Sequence, residues 1–158
     1  MLNEIIEGVI LTSLQEFKDD RGSVLHMLRA DSSDFIRFGE CYFSEVLPGA
    51  IKAWKKHTKQ TQNIAVPVGR IKLVIYDNRY NSPTKDKLLI LELGRPDAYF
   101  RVRIPPEVWY GFSCISSSSA LIVNCADIPH SVVESEIMNY LDPLIPFNWK
   151  DTKADKLK

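Results

Sequence analysis

Apolar and polar residues alternate along several short stretches of the chain, separated by turns rich in Gly, Pro, Asn and Asp. In segments 70–77 and 99–104 the charged side chains fall on one face and the apolar side chains on the other, as in strands buried on one side. Many short strands at regular spacing predict a sandwich or barrel. The predicted strands cover residues 8–14, 23–29, 40–47, 51–56, 61–68, 70–77, 87–93, 99–104 and 119–125.

Helix-like sequence is scarce and follows the last predicted strand. Residues 132–141 predict one short helix, because Ser131 is placed to cap it and Glu134 follows three residues later, as in a capping box. The polar residues 151–158 predict a frayed tail. The residues alone therefore predict an all-β fold with one short C-terminal helix.

Length and charge narrow the classes of function. A chain of 158 residues fits one domain, which we expect at residues 1–150. The 20 basic and 20 acidic residues cancel, so no net field attracts nucleic acid or an anionic membrane, and an anionic ligand needs local cations. The longest apolar runs fall far short of the roughly 20 residues of a membrane helix.

Cysteine usage bears on the cellular compartment. Cys41, Cys114 and Cys125 form an odd set without CxxC spacing, and no basic-then-apolar signal stretch precedes them. This pattern predicts reduced thiols and a cytoplasmic location.

The stretch 51–63 is the richest in polar residues that interrupt a strand pattern. Strict alternation divides its first part into two faces, with Lys52, Trp54 and Lys56 on one and Ala53, Lys55 and His57 on the other. We expect one of these cationic faces to line the mouth of the barrel and hold an anion. The alternative is a solvated edge strand whose lysines discourage aggregation.

Five segments, 17–22, 51–57, 66–70, 104–112 and 141–143, occur in the order and spacing of the dTDP-4-dehydrorhamnose 3,5-epimerase family. They resemble its motifs FxDxRG, RGLH, a strand ending in RG, IPxGxAHGF and WNDP, and the resemblance runs from Gly8 to Trp149. It implies a cupin-type double-stranded β-helix, or jelly roll. It also implies a homodimer that binds a dTDP-linked 4-keto sugar inside the barrel.

Carried over residue by residue, the resemblance gives five positions a role at the substrate. Arg21 matches an arginine that contacts the nucleotide, and Lys52 replaces the arginine of RGLH as a cation for the diphosphate. Gln60 matches a glutamine beside the site, and Gln62 stands where the family has a lysine near the diphosphate. Asp142 matches the aspartate that orients the catalytic base.

Three further residues are candidates for substrate contact. His26 follows the FxDxRG-like segment and either lines the nucleotide pocket or faces a neighbouring strand. Trp54 and Tyr42 can stack on a thymine or a sugar, although core packing is the commoner use of aromatic residues.

The family's acid and base positions are altered in this sequence. The catalytic histidine falls on Lys55, the tyrosine on Val123, and the histidine of AHGF on Tyr110. Lys55 is a base only when neutral, and otherwise a clamp for an anion. His57 is the second candidate base, at a position that resembles the second histidine of HAH in the related 3,4-ketoisomerases.

Tyr110 and Tyr42 are the candidates for the missing acid, because a phenol beside the carbonyl can donate a proton. We expect neither a metal nor another cofactor. The first cupin metal position falls on Lys55, the carboxylate region carries Gln60 and Gln62, and the late histidine is Tyr110.

Three functions are compatible with these residues. The leading interpretation is an epimerase or isomerase that acts on a dTDP-4-keto-6-deoxyhexose by proton transfer alpha to the ketone. The first alternative is a sugar 3,4-ketoisomerase. The second is a non-catalytic protein that binds nucleotide sugars, which the loss of both histidine and tyrosine favours.

Overall fold

A computed structural model describes residues 5–150 of the chain, and the predicted tail at 151–158 lies outside them. Strands account for nearly all of the regular structure. They are β1 (Ile10–Ser13), β2 (Glu16–Asp19), β3 (Gly22–Leu25), β4 (Glu40–Val46), β5 (Ile51–His57), β6 (Gln62–Val68), β7 (Arg70–Tyr76), β8 (Leu88–Gly94), β9 (Phe100–Ile104), β10 (Trp109–Cys114), β11 (Ala120–Ala126) and β12 (Ser135–Ile137).

Two five-stranded antiparallel sheets form the jelly roll. The first sheet has the order β1-β9-β6-β11-β4, and the second has the order β12-β5-β10-β7-β8. Strands β2 and β3 form a separate hairpin. The prediction of an all-β, cupin-type fold is confirmed, and each of the nine predicted strands overlaps an observed one.

Strands β2, β10 and β12 were missed by the alternation pattern. Strand β10 contains Gly111, and a glycine inside a strand weakens the strand signal because it has no side chain to pack. The structure gives the reason for this glycine. A Cβ atom at position 111 would lie 2.4 Å from the Cβ atom of Ala53 on β5, so only glycine fits between the two strands.

The predicted helix at 132–141 is wrong. The segment forms a single 3₁₀ turn, Val132–Glu134, followed by β12, and Ser131 makes no side-chain cap. A capping box needs its glutamate to bond back to the start of the helix. Here the carboxylate of Glu134 turns inward and binds His57 and the backbone N–H groups of Lys59 and Gln60.

Two apolar clusters stabilise the fold on either side of the second sheet. The larger fills the space between the sheets and includes Ile64, Ile122 and Tyr110. The smaller lies around Trp54 and Trp109, where Ile145 and its neighbours in the C-terminal segment pack against the second sheet. The larger cluster borders the cavity described below, because Ile64, Ile122 and Tyr110 belong to the cluster and also line the cavity.

Candidate active site

A cavity of about 300 Å³ lies between the two sheets. Residues from β5, β10 and β12 form the wall on the second sheet, and residues from β4, β6 and β11 form the wall on the first sheet. The lining residues are Tyr42, Ser44, Lys52, Ala53, Trp54, Lys55, Ile64, Tyr110, Phe112, Ile122, Asn124 and Ile137. Apolar side chains thus surround a few polar groups, as is usual for small-molecule sites.

A β-bulge decides which lysines reach the cavity. Lys52 pairs with Phe112 and Lys55 with Tyr110, so between these pairs β5 advances three residues while β10 advances two. The extra residue reverses the alternation, and both Lys52 and Lys55 line the cavity. The expectation that these two lysines lie on opposite faces is therefore wrong.

Lys56 points away from the cavity. Its Nζ lies 3.2 Å from Glu136 Oε2 and 5.0 Å from the centre of the Trp109 ring, beside the smaller cluster. Strand β5 is also flanked by strands on both sides, by β10 and by β12. The alternative of a solvated edge strand is therefore wrong for this segment.

The two cavity lysines differ in their partners. Lys52 Nζ donates to Ser44 Oγ over 3.2 Å and to the carbonyl oxygen of Glu45 over 2.6 Å, which joins the second sheet to the first. Within residues 5–150, Lys55 Nζ makes no hydrogen bond or ion pair. Its donors remain available to an anion.

Behind Tyr110 lies a buried histidine with a carboxylate partner. His57 Nδ1 is 2.6 Å from Glu134 Oε2, and His57 Nε2 is 3.1 Å from the hydroxyl oxygen of Tyr110. The side chains of His57 and Glu134 are only 2% and 5% exposed. We call these three residues the triad.

The pKa shifts of His57 and Glu134 and their hydrogen-bond partners indicate where the protons of the triad lie. Burial lowers the pKa of His57 and outweighs the opposing effect of Glu134. Burial disfavours the charged form of Glu134, but hydrogen bonds from His57 and from two backbone N–H groups outweigh it and lower the pKa of Glu134. A neutral imidazole beside an ionised carboxylate carries its proton on Nδ1, so His57 Nε2 accepts a hydrogen bond from the hydroxyl group of Tyr110.

On the opposite wall, Tyr42 is backed by amides. The backbone N–H of Asn63 donates to Asn124 Oδ1, which leaves Asn124 Nδ2 to donate to the hydroxyl oxygen of Tyr42 over 2.9 Å and to Gln62 Oε1. Gln62 Nε2 in turn donates to Gln60 Oε1 over 2.6 Å. Burial raises the pKa of Tyr42 and keeps its hydroxyl protonated.

Five of the residues singled out in the sequence line the cavity: Tyr42, Lys52, Trp54, Lys55 and Tyr110. His57, Gln60 and Gln62 lie behind the lining. His57 is bonded to Tyr110 and Gln62 to Asn124, both of which line the cavity, and Gln60 is bonded to Gln62. Val123, where the resemblance placed the family tyrosine, is not a lining residue, and its neighbour Asn124 is.

Three further predicted site residues also do not line the cavity. Asp142 accepts a hydrogen bond from the backbone N–H of Leu144 in a turn. Arg21 pairs with Asp19 in the β2–β3 hairpin, where Arg21 Nη2 lies 2.6 Å from Asp19 Oδ2. The ring of His26 packs edge-on against Phe17, with ring centres 5.2 Å apart. The carboxylate that meets a candidate base is thus Glu134, which the sequence interpretation assigned to a helix cap.

Two classes of feature are absent from the described part of the chain. Residues 5–150 contain no group of three or more His, Cys, Asp or Glu side chains that could hold a metal ion. Over the same residues, no helix is long and apolar enough to cross a membrane.

The fold and the cavity define a cupin-type barrel suited to a small anionic molecule held between its sheets. The chain belongs to the dTDP-4-dehydrorhamnose 3,5-epimerase family, whose model matches residues 3–158. The resemblance found in the motifs is therefore confirmed.

Individual relatives agree with the family. The solved structure of a dTDP sugar isomerase from Desulfovibrio desulfuricans is 53% identical, with a TM-score of 0.89, and the match covers 91% of this chain and 92% of that one. The probable low-salt glycan biosynthesis epimerase of Haloferax volcanii is 33% identical over 121 residues, 75% of this chain and 77% of the relative. The spore coat polysaccharide biosynthesis protein SpsL of Bacillus subtilis is 29% identical over 147 residues, 92% of this chain and 97% of the relative. The prediction of an epimerase-related enzyme is confirmed.

Proposed function

We propose that this chain acts on a dTDP-linked 4-keto-6-deoxyhexose and transfers a proton alpha to the ketone, which inverts the configuration of that carbon. The observation that carries the proposal is the cavity, where two lysines and two tyrosines line one space of about 300 Å³. The names of the related dTDP sugar isomerase and glycan biosynthesis epimerase support the substrate class.

The lysines are assigned to the negative charges of the substrate and of the reaction. Removing a proton alpha to a ketone leaves negative charge on the carbonyl oxygen, and a preorganised cation stabilises that charge. Lys55 is assigned to this oxygen, because its ammonium has no hydrogen-bond partner among residues 5–150. Lys52, held at the cavity by Ser44 and the carbonyl of Glu45, is assigned to the diphosphate.

The tyrosines are assigned to proton transfer. Inversion requires that the proton leave one face of the sugar and return to the other, so groups are needed on both sides. Tyr110 on β10 and Tyr42 on β4 belong to different sheets, and both line the cavity. We assign these two phenols to the roles that the family's histidine and tyrosine have.

We further propose that the protein is a cytoplasmic homodimer. The β2–β3 hairpin leaves 57% of Phe17 and 62% of Val24 exposed, and neighbouring apolar side chains on a surface commonly mark a protein contact. Light scattering from the purified chain measures its mass directly. A monomer at the concentrations used for assay would contradict the dimer and leave the chemistry untouched.

The test of the reaction is hydrogen exchange with solvent. The chain is incubated in D₂O with dTDP-4-keto-6-deoxyglucose, and NMR follows deuterium at each carbon. Epimerisation at both positions exchanges the hydrogens at C3 and C5, whereas a 3,4-ketoisomerase perturbs only the C3–C4 side. If dTDP-sugars raise the melting temperature without exchange, the protein is a binding module and the proposed reaction is wrong.

Two neighbouring lysines provide a matched pair of variants. Lys55→Gln removes the cation from the cavity, and we expect the exchange rate to fall by about 10²–10³-fold, the usual cost of losing one donor to a developing oxyanion. Lys56→Gln removes the adjacent lysine, which pairs with Glu136 instead, and should leave the rate within about twofold of the parent. Equal effects of the two changes would contradict the role of Lys55.

A further inference from the structure

The triad is a continuous hydrogen-bonded path from a buried carboxylate to the cavity. Glu134 accepts from His57 over 2.6 Å, His57 accepts from Tyr110 over 3.1 Å, and Tyr110 lines the cavity. Glu134 lies 77 residues from His57 in the sequence, so only the fold brings them together. A neutral imidazole between a carboxylate and a hydroxyl is the arrangement by which serine hydrolases activate a weak nucleophile.

We propose that Tyr110 is the base of the reaction and that His57 and Glu134 are its positioning residues, an inference that rests on the proposed function. As the substrate's C–H bond breaks, its proton forms a new O–H bond with the oxygen of Tyr110. The original hydroxyl proton of Tyr110 moves to His57 Nε2, and the electron pair of the C–H bond moves to the ketone oxygen as an enolate. The resulting imidazolium is stabilised by ionised Glu134.

The path through His57 is needed because Tyr110 cannot ionise alone. Burial raises the pKa of Tyr110 far above its ordinary value, with smaller contributions from Tyr42 and Glu134, so a free phenolate is not populated near neutral pH. His57 cannot act directly either, because it does not line the cavity and both ring nitrogens already have partners.

The groups around His57 determine the pH dependence. Burial lowers the pKa of His57, Glu134 raises it, and Lys55 and His130 lower it further. On the outer face of β5, Lys56 is paired with Glu136 and lies 4.0 Å from Glu107. Proton transfer through the triad needs neutral His57. Activity should therefore be full near neutrality and fall at pH values below 6.5, because the pKa of His57 is lowered from that value.

The test compares two glutamates close in sequence. Glu134→Gln keeps an amide oxygen for the N–H groups of Lys59 and Gln60, but its NH₂ donates to His57 Nδ1 and moves the imidazole proton to Nε2, where it blocks Tyr110. We expect the deuterium-exchange rate to fall by about 10²–10⁴-fold. Glu136→Gln, an exposed control on β12, should exchange at close to the parental rate.

A purely structural role for Glu134 is separated by the pH profile and by dTDP binding. Glu134 raises the pKa of His57. In the Glu134→Gln variant the acid limb of the pH profile of the exchange rate should therefore move to lower pH, while dTDP binding persists. If Glu134→Gln does not fold, Tyr110→Phe tests the same path by removing only the hydroxyl, and parental exchange in that variant overturns the inference. An unchanged rate and acid limb in Glu134→Gln also overturn it. Absence of exchange by the parent protein would instead refute the proposed function.

Discussion

On the second sheet, Tyr110 is backed by an imidazole and a carboxylate, whereas on the first sheet Tyr42 is backed by a series of amides. Tyr110 donates a hydrogen bond to His57, which leaves its oxygen lone pairs for the cavity. Tyr42 accepts from Asn124, which leaves its O–H free to donate. Under the proposed mechanism, the same type of side chain takes a proton on one wall and gives one on the other.

The chemistry behind each phenol suits these opposite tasks. An ionised carboxylate stabilises the positive charge that forms on an imidazole when it receives a proton. An amide series carries no net charge and titrates nowhere near neutral pH, so it orients Tyr42 without accepting its proton. Under the proposed mechanism, the two walls therefore divide the acid and base roles by hydrogen-bond direction as well as by position.

The largest expected effect comes from removing one hydroxyl at a time. Tyr110→Phe should abolish both deuterium exchange and epimerisation, because no base remains. Tyr42→Phe should keep exchange but slow epimerisation by about 10²–10⁴-fold, since the enolate then regains its proton from the same face. NMR in D₂O measures both, because retained configuration with deuterium incorporated distinguishes exchange from inversion. Loss of exchange in Tyr42→Phe would show that the division of roles is wrong.

The strands that build both walls could largely be predicted from the sequence, but the walls themselves could not. Strand-like segments between turn residues located β4, β5, β6 and β11 within a few residues. The bulge in β5 depends on how two strands pair, and that pairing is invisible in either strand alone. The prediction that Lys52 and Lys55 lie on opposite faces of the strand was therefore wrong.

Glu134 shows a second limit of sequence reasoning. Its position three residues after Ser131 fits the capping-box pattern of a helix. In the structure Glu134 instead makes a long-range contact with His57. Burial of an imidazole and two backbone N–H groups without an acceptor costs about 1–3 kcal/mol for each group, which exceeds the value of one capping interaction of about 1 kcal/mol. From sequence alone, such a glutamate fits both a helix cap and a buried partner of an imidazole.

An intermediate effect is expected from a substitution at Gly111, beside the β-bulge between β5 and β10. Gly111→Ala places a methyl group 2.4 Å from Ala53 Cβ and 3.1 Å from Trp149 Cζ2, and overpacking of this kind costs about 1–3 kcal/mol. The melting temperature should fall, and exchange should slow because Tyr110 and Lys55 are paired beside this site. Ala53→Gly in the same chain should recover part of both losses. Unchanged stability in Gly111→Ala would contradict the close strand contact that positions the second wall.

The smallest expected effect is on the hydrogen bond that orients Tyr42. Asn124→Ala removes the donor to the Tyr42 oxygen, and a hydrogen bond of about 0.5–1.5 kcal/mol corresponds to at most about a tenfold slower inversion. Exchange should be nearly unaffected, because Tyr110 and its partners lie on the other sheet. Val123→Ala, the adjacent residue that does not line the cavity, controls for packing on β11. If Asn124→Ala slows exchange as much as inversion, the two walls act as one unit and the separation of acid from base is wrong.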